Sequence, residues 1–113
     1  MSQHQTYPRG AVCLVRDFAF ADGQTKSKYV VVLRCAESEA HVPVVVCSTD
    51  RYPGKVRAFD VVAGIDGLEG TSRIDCRWVY TLKKNRLNVP VGHLSAEQLE
   101  QVDESLIIAF GII

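Results

Sequence analysis

The chain lacks most of the signatures that announce a chemistry. Its four cysteines, Cys13, Cys35, Cys47 and Cys76, form no C-x-x-C pair. Three lie inside apolar patterns and Cys35 ends one, so all four read as free thiols acting as small hydrophobes. His4, His41 and His93 are scattered. No His, Cys or carboxylate pair carries ligand spacing on one element, so no metal and no cofactor is expected. Gly64, Gly67 and Gly70 do not lie between a strand and a helix, which excludes a phosphate-cradling nucleotide loop. There is no G-x-S-x-G elbow and no histidine near Ser48 in sequence, so acyl transfer has little support. Charge of one sign is absent too: thirteen basic and thirteen acidic side chains cancel. No global field draws the molecule to nucleic acid, and any polyanion site must be local. No apolar run approaches the roughly 20 residues of a membrane helix. The opening residues lack a basic region followed by an apolar stretch, so no secretory signal is expected. A cytoplasmic protein without a membrane partner is the expectation.

What remains is a chain of 113 residues, 47% hydrophobic and 23% charged. That suits a single domain over residues 1–113 with its own core. There are no internal repeats and no linker. Short β-branched runs bounded by Gly, Pro, Asp or Ser predict strands over 11–16, 29–34, 42–47 and 56–62. A turn is expected at Tyr52-Pro53-Gly54 and a loop over 64–70. Residues 17–28 read as a long loop between the first two strands, beyond the usual hairpin connection, and aimed at the strand end Ser48-Thr49.

The clearest strand runs over 73–82. Period two sets Ile74, Cys76, Trp78, Tyr80 and Leu82 on one face, expected to be core, and Arg73, Asp75, Arg77, Val79 and Thr81 on the other. A basic hairpin, Lys83-Lys84-Asn85-Arg86, leads into 87–91. The last element is a helix. Ser95 and Gln98 form a capping box, Leu94 and Leu99 a hydrophobic staple, and Gly111 a stop. Leu99, Val102, Leu106 and Phe110 form its apolar stripe. Strands first and one helix last predict a mainly β fold: a small, strongly bent antiparallel sheet or partial SH3-like barrel with a C-terminal α-helix.

The side chains left for chemistry are Lys28, Ser48, Thr49, Asp75 and Arg77, with the loop aromatics Phe18 and Phe20. Hydroxyls at a strand end beside a cation and a carboxylate suit phosphodiester cleavage. RNA carries its own nucleophile, the 2′-hydroxyl. The protein need only move protons and stabilise an anionic phosphorus. Phe18 and Phe20 are candidate stacking platforms for single-stranded bases, and Lys26, Thr49, Arg73, Lys83 and Lys84 are candidate RNA contacts. The same residues also fit a solvated ladder, a turn and a core, and composition does not separate the two readings.

The order of several short motifs resembles the PemK/MazF family of type II toxins. They are Tyr-Pro-Arg-Gly-Ala-Val-Cys-Leu-Val at 7–15, Phe20 with Asp22-Gly23, and the apolar strand after Lys28. Val-Val-Val-Cys-Ser-Thr at 44–49, Gly67-Leu68 with Ser72, Thr81-Leu82 with Arg86-Leu87, and Gly-His-Leu-Ser at 92–95 complete the series. The resemblance implies a homodimeric, metal-independent endoribonuclease, an mRNA interferase. Such an enzyme cuts single-stranded RNA to a 2′,3′-cyclic phosphate and a 5′-hydroxyl, and is inhibited by a cognate antitoxin. Carried over by position, Lys28 stands where the family has an arginine, and Ser48 matches the hydroxyl after the third strand. Asp75 and Arg77 hold the places of an arginine and an aspartate, with the charges exchanged. The implied catalytic set is Lys28, Ser48, Asp75 and Arg77. The ending Phe110-Gly111-Ile112-Ile113 is similar to that of CcdB-like toxins, which share the fold and bind DNA gyrase instead. That is the alternative, together with a catalytically weak or inactive antitoxin-binding member.

Overall fold

The computed structural model describes residues 7–20, 22–49 and 55–112. The expected turn at 52–54 and His4 fall outside them. Among the described residues six strands form one open antiparallel sheet: β1 (Ala11–Ala19), β2 (Thr25–Val32), β3 (His41–Thr49), β4 (Asp60–Gly64), β5 (Thr71–Lys83) and β6 (Gly92–His93). Their order is β4-β5-β3-β2-β1-β6, so β4 and β6 are the edges. One α-helix, α1 (Ala96–Phe110), closes the chain. The mainly β fold with a C-terminal helix is as the sequence predicts. No described helix is long and apolar enough to cross a membrane.

Both faces of the central strands are buried, which explains their near-continuous valines. Ala11, Cys13, Val15, Val30, Val32, Val42 and Val44 enter one core with Phe18 and Leu87. Their neighbours Val12, Val31, Val45 and Cys47 enter a second core with Ile74, Cys76 and Val102. The helix covers this second face. Ser95 accepts from the Gln98 amide while Gln98 returns a side-chain bond, and Gly111 ends the helix in the left-handed region. Val102 is buried, with Leu99 and Leu106 packed beside it, but Phe110 stays 50% exposed. The apolar stripe therefore outruns the sheet beneath it.

Three expectations change. Residues 17–28 are mostly strand: pairing continues to Ala19↔Thr25 after a bulge at Arg16 and Asp17, leaving a connection of 20–24. Asp17 takes a positive φ of 54° there, and Arg86 donates to the carbonyls of both bulge residues. The bulge shifts the alternation, so that Val15 and Phe18 share a core. Second, the strand expected at 56–62 begins only at Asp60, because Arg57 and Asp60 close a turn ahead of it. Third, β5 is not one period-two face. Val44 opposes Tyr80 but Val46 opposes Asp75. The extra residues bulge outward and invert the alternation. Ile74 and Cys76 pack in the helix-covered core, Tyr80 and Leu82 against the other, and Trp78 between them is 57% exposed.

Candidate functional site

The site follows from register. Tyr29 opposes Cys47, and one further step along both strands sets Lys28 opposite Ser48. Opposed residues share a face, and Lys28 Nζ lies 3.4 Å from Ser48 Oγ. Ser48 opposes Arg73, and Asp75 opposes both Val46 and Asp60. Lys28, Ser48, Arg73 and Asp75 therefore line one face at the end of the first core, where the sheet becomes polar. Here the described β2–β3 pairing ends at Tyr29 and Cys47, while β2 runs back to Thr25 and β3 continues through Ser48 and Thr49 paired to β5, so the two strands part in a notch between the β1–β2 hairpin and the β4–β5 turn.

The cations are not equivalent. Asp60, with a fully buried side chain, accepts from Arg57 Nε at 2.8 Å and Arg73 at 2.7 Å. Burial alone would raise its pKa. The hydrogen bonds from Arg57 and the charges of Arg57 and Arg73 outweigh that and hold it below the ordinary carboxylate value. Arg77 grips Asp75 through Nε at 3.2 Å and a second nitrogen at 3.0 Å, with its backbone N–H donating as well. The Arg57 and Arg77 guanidinium carbons lie 4.5 and 4.7 Å from the Phe59 ring centre. Lys28 is only partly buried and its ammonium faces a neutral hydroxyl, with the Phe20 ring centre 6.0 Å away. An ammonium and a hydroxyl side by side can bind a phosphodiester oxygen, the first as a point charge and the second as an oriented donor.

The remaining candidates separate. Phe18 is not a platform: it is wholly buried, edge-to-face against Phe20 and Tyr80, with centroids 5.0 and 4.8 Å away. Phe20 is half-buried beside Lys28. Lys26 is exposed, two residues from Lys28 on the hairpin. Thr49, opposite Ser72, points to the other face from Ser48. Lys83 opposes His41 at the far end of β3, about 25 Å away at strand rise. Lys84 donates to the Ala36 and Glu37 carbonyls at 2.7 and 3.0 Å. The basic turn, a single 3-10 turn over Lys84–Arg86, thus fastens loops rather than joining the site. Sequence reasoning missed Arg57, Phe59 and Asp60. Arg57 and Asp60 sit three apart before a strand, a weak signal until Arg73 is placed beside them. Among the described residues no group of three His, Cys, Asp or Glu is arranged to hold a metal ion.

The sequence matches the family described as PemK-like, MazF-like toxin of type II toxin-antitoxin system over residues 8–110. Compared with curated proteins, it finds no match. Solved structures resemble its fold at low identity. One is an endoribonuclease in complex with its cognate antitoxin from a mycobacterial species: TM-score 0.73, 20% identity, 95% of this chain and 98% of the other covered. The Mycobacterium tuberculosis toxin MazF-mt6 gives 0.71 and 21%, with 89% and 96% covered. A MazE-MazF structure from Deinococcus radiodurans gives 0.69 and 16%, with 95% and 97% covered.

Proposed function

The chain belongs to the PemK-like, MazF-like toxins of type II toxin-antitoxin systems, and from that premise we propose that it is a metal-independent endoribonuclease for single-stranded RNA. The observation that carries the reading is the Lys28–Ser48 pair at the notch of the sheet. A phosphodiester laid there meets the ammonium and the hydroxyl at its non-bridging oxygens. Asp75 lies on the same face one diagonal step away, a separation of about 7–8 Å between such positions. It serves as the base that takes the 2′-hydroxyl proton. The 2′-oxygen bonds to phosphorus, and the bond to the 5′-oxygen breaks. The departing oxygen gains a proton from solvent, leaving a 2′,3′-cyclic phosphate and a 5′-hydroxyl. Lys28 offsets the charge on phosphorus. Arg77, paired with Asp75, orients that carboxylate and adds positive charge on its far side. The protein acts as a homodimer, held inactive by a cognate antitoxin.

The test is incubation with a long unstructured RNA in EDTA, with ends mapped by primer extension. Discrete cuts with 5′-hydroxyl ends are expected, with a loss of about 100- to 1,000-fold in Ser48→Ala, the scale for one preorganised donor. Lys28→Arg, which adds a planar fork, is expected to cut at least as fast as wild type. A folded wild type that arrests growth but cuts no RNA would overturn the reading. It would favour gyrase binding instead, to which the exposed Phe110 and Ile112 at the helix end point.

A further inference from the structure

A cavity of about 330 Å³ opens on the opposite face of the same notch. Ser48 lines it, so it abuts the Lys28–Ser48 pair. Its other walls come from the alternate residues of the same strands and from the β4–β5 turn. Tyr29 and Cys47 are an opposed pair, as are Thr49 and Ser72, and Leu68 and Glu69 close the side. The turn is held rigidly. Gly67 and Gly92 touch through their backbones: a Cβ on Gly67 would lie 2.1 Å from the Val91 oxygen, and one on Gly92 2.2 Å from the Asp66 oxygen. His93 donates to Asp66 and Leu68 to Ile65. Glu69 is thus presented from a pinned loop.

The chemistry of the two faces is opposite. Lys28 offers a cation on one side of the notch; Glu69 offers a carboxylate on the other, which repels phosphate. A nucleotide seated in the notch is sorted by that polarity, its phosphate toward Lys28 and its base into the cavity. Tyr29, 36% exposed, supplies an aromatic surface for the base plane. Ser72 lines the cavity with Cys47, and Thr49 is exposed with a hydroxyl that donates or accepts. A carboxylate only accepts, so it selects bases by their N–H groups. On the edge that single-stranded RNA leaves open, guanine presents adjacent N1–H and N2–H donors, matching two carboxylate oxygens. Adenine and cytosine present one amino group. Uracil presents one N–H between two repelling carbonyls.

We propose that this cavity is the base-specificity pocket beside the scissile phosphate, with Glu69 selecting a guanine and Tyr29 stacking on it. The proposal rests on the ribonuclease reading above, yet is tested without cleavage. The probe is a labelled short oligodeoxyuridine carrying one central dG, dA or dC, or none, which lacks the 2′-hydroxyl and cannot be cut by this route. Fluorescence anisotropy with the full chain is expected to rank dG first and unsubstituted oligodeoxyuridine last. Glu69→Ala is expected to shrink the G-over-U affinity ratio about 10-fold, within the range of one bidentate base contact. Glu69→Gln, with one acceptor and one donor, is expected to shift preference from G toward A. Tyr29→Ala is expected to weaken all four probes about 10-fold, as loss of one stacking surface does. Equal affinities for all probes in wild type, or an unchanged ratio in Glu69→Ala, overturn the pocket while leaving the ribonuclease reading to its own assay. Selective binding by a protein that cuts no RNA retains the pocket and removes the ribonuclease.

Discussion

A thiol buried in a valine-rich sheet behaves as a hydrophobe until something asks it to ionise. Burial pushes Cys13 and Cys47 up to about 11 and Cys76 to about 12. For Cys47 the Ser72 hydrogen bond and the Lys28 charge pull the other way without overcoming that burial. Thiolate is the reactive form, so at pH 7.5 these three are protonated almost completely. Cys35 lies at the surface of its core, partly exposed. Mild iodoacetamide treatment of the native protein is expected to give a single fast adduct, at Cys35, by peptide mass spectrometry. Cys47 labelling should rise only as pH approaches 11. Rapid modification of Cys47 at neutral pH would mean that the cavity face of β3 opens in solution. The cysteines were legible in the sequence because their neighbours carry the pattern. Phe18 was legible only as a choice between stacking platform and core side chain; the bulge at Arg16 and Asp17, which the sequence does not show, turns it inward and settles it as core.

At the scale of elements, what the sequence hid is where strands bend. A clean alternation from Ile74 to Leu82 predicts one face, yet a bulge inserted midway sends its two halves into different cores with no change of pattern. The length of β5 and the placement of its charges were readable; the inversion was not, because it depends on the partner strand. The capping box of α1, entirely local, was readable in full. The same logic separates the site residues. Lys28 and Ser48 meet because two recognisable strands share a register. Asp60 meets Arg73 only through the pairing of β4 with β5, and its carboxylate then joins the turn at Arg57 to the sheet. Its pKa is lower folded than unfolded, so the stability it contributes is present above the ordinary value near 4 and disappears as pH falls through the depressed folded value. Asp60→Asn is expected to cost about 2 kcal/mol at pH 7, the scale for hydrogen bonds to a charged group in a partly open pair. Urea denaturation of both proteins should show the gap closing below pH 4. A gap that stays constant down to pH 2.5 would assign the effect to packing rather than to charge.

At the scale of the whole molecule, the distribution of exposed apolar side chains is the feature that a monomer does not explain. Trp78 and Val79 stand out on the β5 bulge, and Ile108, Phe110 and Ile112 on the end of α1. These two elements pack against each other. A net charge of zero does nothing to keep copies apart, and apolar surface of this kind marks association. The homodimer proposed above would cover it. Sedimentation equilibrium at micromolar concentration is therefore expected to give about twice the 12.5 kDa chain mass. Trp78 is the sole tryptophan, so its emission reports directly on that surface. It should shift to the red on dilution, as the indole returns to water, along the same curve as the fall in mass. Trp78→Lys should move the equilibrium toward monomer while leaving the far-ultraviolet circular dichroism unchanged, since the indole takes part in neither core. A dimer whose mass and emission are both insensitive to Trp78 would pair through another face. A chain that stays monomeric would leave each notch to act alone, and a ribonuclease site would then have to be complete within one copy.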